Sequence, residues 1–290
     1  MKFSDSGLPK DKLLQDAFDY SHTFTLKNRK MALLDFEQQM HAIHANQMVQ
    51  LDMEKDTGLM PADDYKRQKE ALERLRDENL KQGPALVEQA LEGMFVARRV
   101  NPALEILKNS EKTSDNELVA AALLCECIRS PKDFQTITQK FGDRVAGIAA
   151  EIAHIDAYPG ERDANMAEAS TDAKRVYLAW LSASMNNVAD QITQAAAATP
   201  PQKLQLPPGH EKQMYTDVAP LWGVDKKLGM RFLDAYNRAC AASGSPFRLE
   251  LDDKGGLELV NGAIATAGKI DGKKPKGPAG PNGGIGGDVF

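Results

Sequence analysis

The sequence predicts a mainly α-helical protein with a small C-terminal β-hairpin and a Gly/Pro-rich tail. Three observations carry this reading. Apolar residues recur at three- and four-residue spacing through most of the 290 positions. The period changes to two only over PFRLELDDKGGLELV, where Phe247, Leu249 and Leu251 alternate, Asp253-Lys254-Gly255-Gly256 turns, and Leu257 and Leu259 alternate again. Beyond Asn261 the chain is too rich in Gly and Pro to bury a core, and it is read as a disordered tail.

The elements follow in order. A first helix is expected over Lys10 to Phe18, then an irregular segment from His22 to Lys27. From Arg29 to Asp52, Met31, Leu34, Phe36, Met40, Ile43, Met48 and Leu51 recur with helical spacing. Asp63 and Asp64 suit the start of the next helix, which Gly83-Pro84 is expected to stop. Its pairs Glu70–Arg74 and Glu73–Arg76 predict a solvated, salt-bridged face.

A helix from Ala85 to Arg99 leads to Asn101-Pro102, a cap and first-turn proline for a new helix ending at Asn109. Further helices are expected over Asn116–Arg129, Lys132–Phe141 and Asp143–His154, with a break at Tyr158-Pro159-Gly160. A long helix runs from about Ala167 to Ala198. After the connector Leu206-Pro207-Pro208-Gly209, one stripe joins Leu221, Val224, Leu228, Phe232, Tyr236 and Cys240. The expected organisation is an N-terminal helical extension over 1–84, a helical bundle over 85–198, a helix with hairpin over 210–261, and the tail over 262–290.

Composition narrows the function classes. Hydrophobic residues at 42% and charged residues at 27% describe an ordinary globular protein. A net charge of −5 argues against a nucleic-acid binder, which normally carries a basic face. The sequence has no apolar segment long enough to insert in a membrane and no signal-peptide h-region. Three cysteines at unrelated spacings fit a reducing compartment, so a cytoplasmic location is expected.

Several residue groups invite a chemical reading. Cys125-Glu126-Cys127 interrupts an apolar run, but thiols two apart on a helix point about 200° away from each other and cannot share an ion. Buried structural thiols are the expected role. Glu126 either pairs with Arg129 or lines a pocket with it. Glu37, His41 and His44 share one helix face and resemble half of a metal site, with no second helix to complete it. Met31, Met40, Met48, Met53 and Met60 are read as core packing, with a partner surface as the alternative. Lys273-Lys274-Pro275-Lys276 is too short a basic run for nucleic acid. Asp288-Val289-Phe290 is a candidate partner-docking end through its terminal carboxylate.

Four pieces between Val100 and Asn187 resemble the HD domain of RelA/SpoT-type guanosine polyphosphate hydrolases, in that family's order. They are Asn101-Pro102-Ala103-Leu104-Glu105-Ile106-Leu107, Ala121-Ala122-Leu123-Leu124-Cys125-Glu126, Phe141-Gly142 with Val145-Ala146 and Ile148-Ala149, and Tyr177-Leu178-Ala179-Trp180-Leu181 with Asn186 and Asn187. The resemblance covers under a third of the chain and implies an HD-like helical bundle. Such hydrolases hold a divalent metal with two His and two Asp, and the metal activates a water. Carried over by position, those ligands fall on Asn101, Cys125, Glu126 and Trp180. The acidic pair that follows the motif falls on Arg129 and Ser130.

Trp cannot ligate a metal, and Asn is a poor ligand for manganese. The resemblance therefore implies a pseudoenzyme with no catalytic residues, no metal and no cofactor, acting as a binding, scaffold or regulatory module with protein partners. The alternatives are a metal-dependent phosphohydrolase with an altered site and a non-hydrolysing sensor of guanosine polyphosphates.

Overall fold

A computed structural model of the chain describes residues 1–157, 161–200, 202 and 204–262. The expected break at 158–160 and the docking candidates Asp288, Val289 and Phe290 lie outside the described residues, as does the tail from residue 263 on. The described chain is mainly helical, with one two-stranded antiparallel hairpin.

Helix α1 (Lys12–Lys27) is capped by the Asp11 side chain, which accepts from the Leu14 N–H at 3.1 Å. It continues through the stretch expected to be irregular. Its polar residues find partners in distant chain: Ser21 donates to the Leu123 carbonyl, and the His22 ring meets Glu92 Oε1 at 2.7 Å. Thr25 donates back to the Ser21 carbonyl. His22 also packs beside the rings of Phe18 and Phe95, which meet each other edge to face. Tertiary contacts therefore override weak local preference.

Helices α2 (Arg29–Asp56) and α3 (Ala62–Phe95) form an antiparallel hairpin, with Tyr65 donating to Asp52 at one end. Gly83-Pro84 does not stop α3. A Cβ on the buried Gly83 would stand 2.8 Å from Phe36 Cε1, so the bare glycine lets the two helices approach. The exposed face of α3 carries the pairs Asp64–Arg67 and Arg76–Asp77 instead of the expected ones. The core-packing expectation for the α2 methionines fails at Met31 and Met53, which are exposed together with Leu34, Ile43 and Val49.

No new helix starts at Asn101. A π turn over Val96–Val100 joins α3 directly to α4 (Asn101–Asn109), and the Asn101 N–H bonds the Val96 carbonyl, five residues back. Proline ordinarily clashes with the carbonyl four residues before it. The wider turn falls where Pro102 would meet that carbonyl.

Helix α5 (Asn116–Leu124) is the centre of the core. Every residue from Leu118 to Leu124 is buried, as an all-round apolar helix requires. It touches α1, α4, α7 (Asp143–Ala157) and α9 (Thr171–Ala197). Arg144 of α7 staples this region by reaching Asp115, Glu117 and Asp172 at 2.6–2.8 Å. The expected helix to Arg129 ends five residues early: Cys125–Cys127 forms a 3-10 turn and Ile128 is extended. Ser130-Pro131 then starts α6 (Pro131–Phe141), with Ser130 Oγ accepting from the Asp133 N–H.

The long helix expected from about Ala167 is α9, which starts at Thr171 with Ser170 as its cap, and a separate short helix, α8 (Arg162–Glu168), precedes it. After α10 (His210–Val218), α11 (Lys226–Ser243) packs along α9. Its stripe of Leu228, Phe232, Tyr236 and Cys240 is buried, whereas Leu221 and Val224 precede the helix. Asp225 caps α11 and lies buried against Arg175 Nε at 3.0 Å, Ser110 Oγ at 2.6 Å and the Glu111 N–H at 2.9 Å.

Strands β1 (Phe247–Leu251) and β2 (Leu257–Asn261) pair as the alternation predicts, with Leu249 opposite Leu259. Asn237 of α11 exchanges two hydrogen bonds with the Leu249 backbone and docks the hairpin.

Candidate functional site

The π turn determines what the end of α5 meets. Successive α-helical residues are about 100° apart, and a wider turn reduces that angle. Here two consecutive arginines reach the same carboxylate: Arg98 Nη1 donates to Glu126 Oε1 at 2.8 Å, and Arg99 Nη2 to Glu126 Oε2 at 3.3 Å. The Glu126–Arg129 ion pair read from their three-residue spacing does not form. The helix they were to share ends before either residue.

Arg99 is 3% exposed, so its charge needs compensation. Its Nη1 donates to Ser21 Oγ at 2.6 Å and to Cys127 Sγ at 3.0 Å, while Glu126 supplies the counter-charge. Burial pushes the Cys127 thiol up, outweighing the neighbouring guanidinium. That thiol is an unreactive acceptor. Cys125 is also buried and donates to the Ala122 carbonyl. On the 3-10 turn the two side chains still diverge, being about 240° apart at three residues per turn.

Around Glu126 the surface is concave. A cavity of about 490 Å³ is lined by Arg98, Cys125, Glu126 and Arg129, with Ile128, Ile152, Ala153, Arg162 and Trp180 completing the wall. Among the described residues its charges are unequal, with three arginines against one glutamate. The Arg129 guanidinium lies over the Phe24 ring, 5.0 Å from its centroid. It meets no carboxylate among the described residues, although its backbone N–H bonds Asp133. Arg162 reaches Asp217 at a long 3.4 Å, and its buried Nε has no hydrogen-bond partner among the described residues. Trp180 stacks on Tyr177 and contributes an aromatic wall.

Three positions carried over from the resemblance, Cys125, Glu126 and Trp180, thus share one cavity with Arg129. Asn101 does not. It lines a separate depression with Glu105, Asp190, Arg231 and Arg238.

The chain matches no family model, no curated protein and no solved structure. The HD resemblance therefore stands on the quoted residues.

Glu37 and His41 lie on the exposed side of α2, and His44 is half-buried there. Among the described residues, no group of three or more His, Cys, Asp or Glu is placed to hold a metal ion. No helix among them is long and apolar enough to cross a membrane.

Sequence reasoning missed Arg98, Arg99 and Arg162. The doublet Arg98-Arg99 beside an apolar run was a usable signal, because two adjacent charges there need anionic partners. Arg162 follows the 158–160 segment and carries no local pattern.

Proposed function

We propose that the chain is a pseudoenzyme: a helical module of HD-like derivation that works by binding and regulates or assembles a protein complex. One observation carries the reading. Glu126 stands where the resemblance puts a metal-binding aspartate, and Arg98 and Arg99 engage both of its oxygens. Two guanidiniums place positive charge where a cation would have to sit, and Coulomb repulsion opposes its entry. Trp180 replaces another ligand in the same cavity.

Exposed Met31, Leu34, Ile43, Val49 and Met53 on α2 offer apolar side chains that a protein partner could cover.

Elemental analysis of the purified chain, paired with a turnover assay using a guanosine polyphosphate and manganese, tests the reading. Sub-stoichiometric metal and no phosphate or pyrophosphate release are expected. One equivalent of metal, lost on Glu126→Ala and accompanied by release, would overturn it.

The arginine-lined cavity favours one variant of the reading, a sensor that holds an anionic nucleotide without cleaving it.

A further inference from the structure

We infer that the cavity between the π turn, the 3-10 turn and α8 is a binding site for a small phosphate ester, held by Arg98, Arg129 and Arg162 without a metal. The inference deepens the binding reading above and rests on it.

The charge arrangement comes first. Three arginines, from the π turn, the segment before α6 and α8, line one concave surface, and among the described residues Glu126 is the acid on that lining. Asp217 behind Arg162 and Asp133 beside the Arg129 backbone are the other acids in contact. A guanidinium has five donors in a fixed fork that matches phosphate oxygens. Arg98 spends one bond on Glu126, Arg129 rests on an aromatic ring, and Arg162 makes long contacts to Asp217. Each guanidinium therefore keeps donors that its partners among the described residues do not use and that an anion would engage.

The neighbouring depression beside Asn101 shows the contrast. Its Arg238 is neutralised by Asp190 and Asp234, each at 3.2 Å, and also donates to Asn186 at 2.7 Å.

The number of arginines selects the head group. A phosphate monoester carries about two negative charges near neutral pH and offers three acceptor oxygens, which suits several forks at once. A single carboxylate satisfies one fork. The rest of the wall selects the body of the ligand: Trp180, Ile128, Ile152 and Ala153 offer an aromatic and aliphatic surface. The volume of about 490 Å³ lies in the range of small-molecule sites. A phosphate ester with a planar or apolar body fills both halves, and the head group stays close to the three arginines.

Titration calorimetry of the full chain tests this with inorganic pyrophosphate, ADP and GDP as probes, plus an aspartate-rich peptide. At least one nucleotide is expected to bind saturably at or below about 1 mM, with weaker pyrophosphate binding and no peptide binding. Replacing Arg98, Arg129 or Arg162 singly by Gln is expected to weaken nucleotide binding about tenfold, the loss of one charge-assisted contact. Arg129→Gln is the safest variant because the residue is exposed. Trp180→Leu should weaken the nucleotide and leave pyrophosphate unchanged. No saturable binding of any phosphate probe overturns the inference, as does binding that ignores all three arginine substitutions or favours the peptide. These failures leave the pseudoenzyme reading intact. Metal-dependent cleavage of a bound nucleotide would instead overturn that reading and spare arginine-dependent binding.

Discussion

Arg99, almost wholly buried, donates to Glu126 Oε2 at 3.3 Å across the junction between the π turn and the end of α5. The two residues lie 27 positions apart, and Glu126 makes this bond instead of the pair its spacing to Arg129 suggests. Removing a buried charge's partner usually costs several kcal/mol. A quarter of the Glu126 side chain meets water, which reduces that cost to about 2 kcal/mol for Glu126→Ala. Urea denaturation checks it, and Arg99→Met in the same background should recover part of the loss. An unchanged midpoint for Glu126→Ala would show that the pair contributes nothing to stability.

Asp225 concentrates more structure on one carboxylate. It caps α11 and holds Arg175 of α9 and the Ser110-Glu111 connection after α4. Asp225→Ala leaves Arg175 buried without that charge and is expected to cost about 3 to 5 kcal/mol, the largest loss among these variants. Thermal unfolding reads it directly. A loss comparable with that of an exposed aspartate would contradict the assignment.

Gly83→Ala should destabilise the hairpin although alanine is the better helix former. The new methyl would meet the Phe36 ring at 2.8 Å, a clash worth about 1 to 3 kcal/mol. Phe36→Ala should relieve the clash, so the double variant loses less than the two single changes combined. Strict additivity would place the two residues out of contact.

Asp115 links stability to acid pH. Hydrogen bonds from Arg144 hold its carboxyl below the usual range, against the opposing effect of burial. Its contribution is therefore complete above the unfolded value of about 3.9 and is lost as pH falls through the lower folded value. Asp115→Asn retains an acceptor for the Leu118 N–H and removes the titration. Its denaturation midpoints should fall less steeply than the parent's below about pH 4. An unchanged acid slope would separate Asp115 from the linkage.

Periodicity made most helices and the hairpin legible, because burial of a stripe is a local property of sequence. What it could not supply were partners distant in the chain. His22 read as the start of an irregular segment, yet its partner lies 70 positions away, and that of the adjacent Ser21 lies 102 away. Gly83-Pro84 read as a stop, since the facing ring of Phe36 is invisible in one dimension. Of the positions carried over from the ordered motifs, Cys125, Glu126 and Trp180 line one cavity with Arg129, and Asn101 lines another depression. Arg98 went unnoticed because its orientation depends on a π turn that helix periodicity does not encode.

That turn also has a mechanical consequence. From Ala62 to Asn109 the backbone is one unbroken helical rod, with α3 on one side of the π turn and α4 on the other. Helix α3 alone is about 50 Å long at 1.5 Å per residue. A change of about 10° at the joint would sweep its far end through about 9 Å on a lever of that length. The joint's two arginines hold Glu126, so the fulcrum of the longest helix among the described residues is tethered to the wall of the cavity.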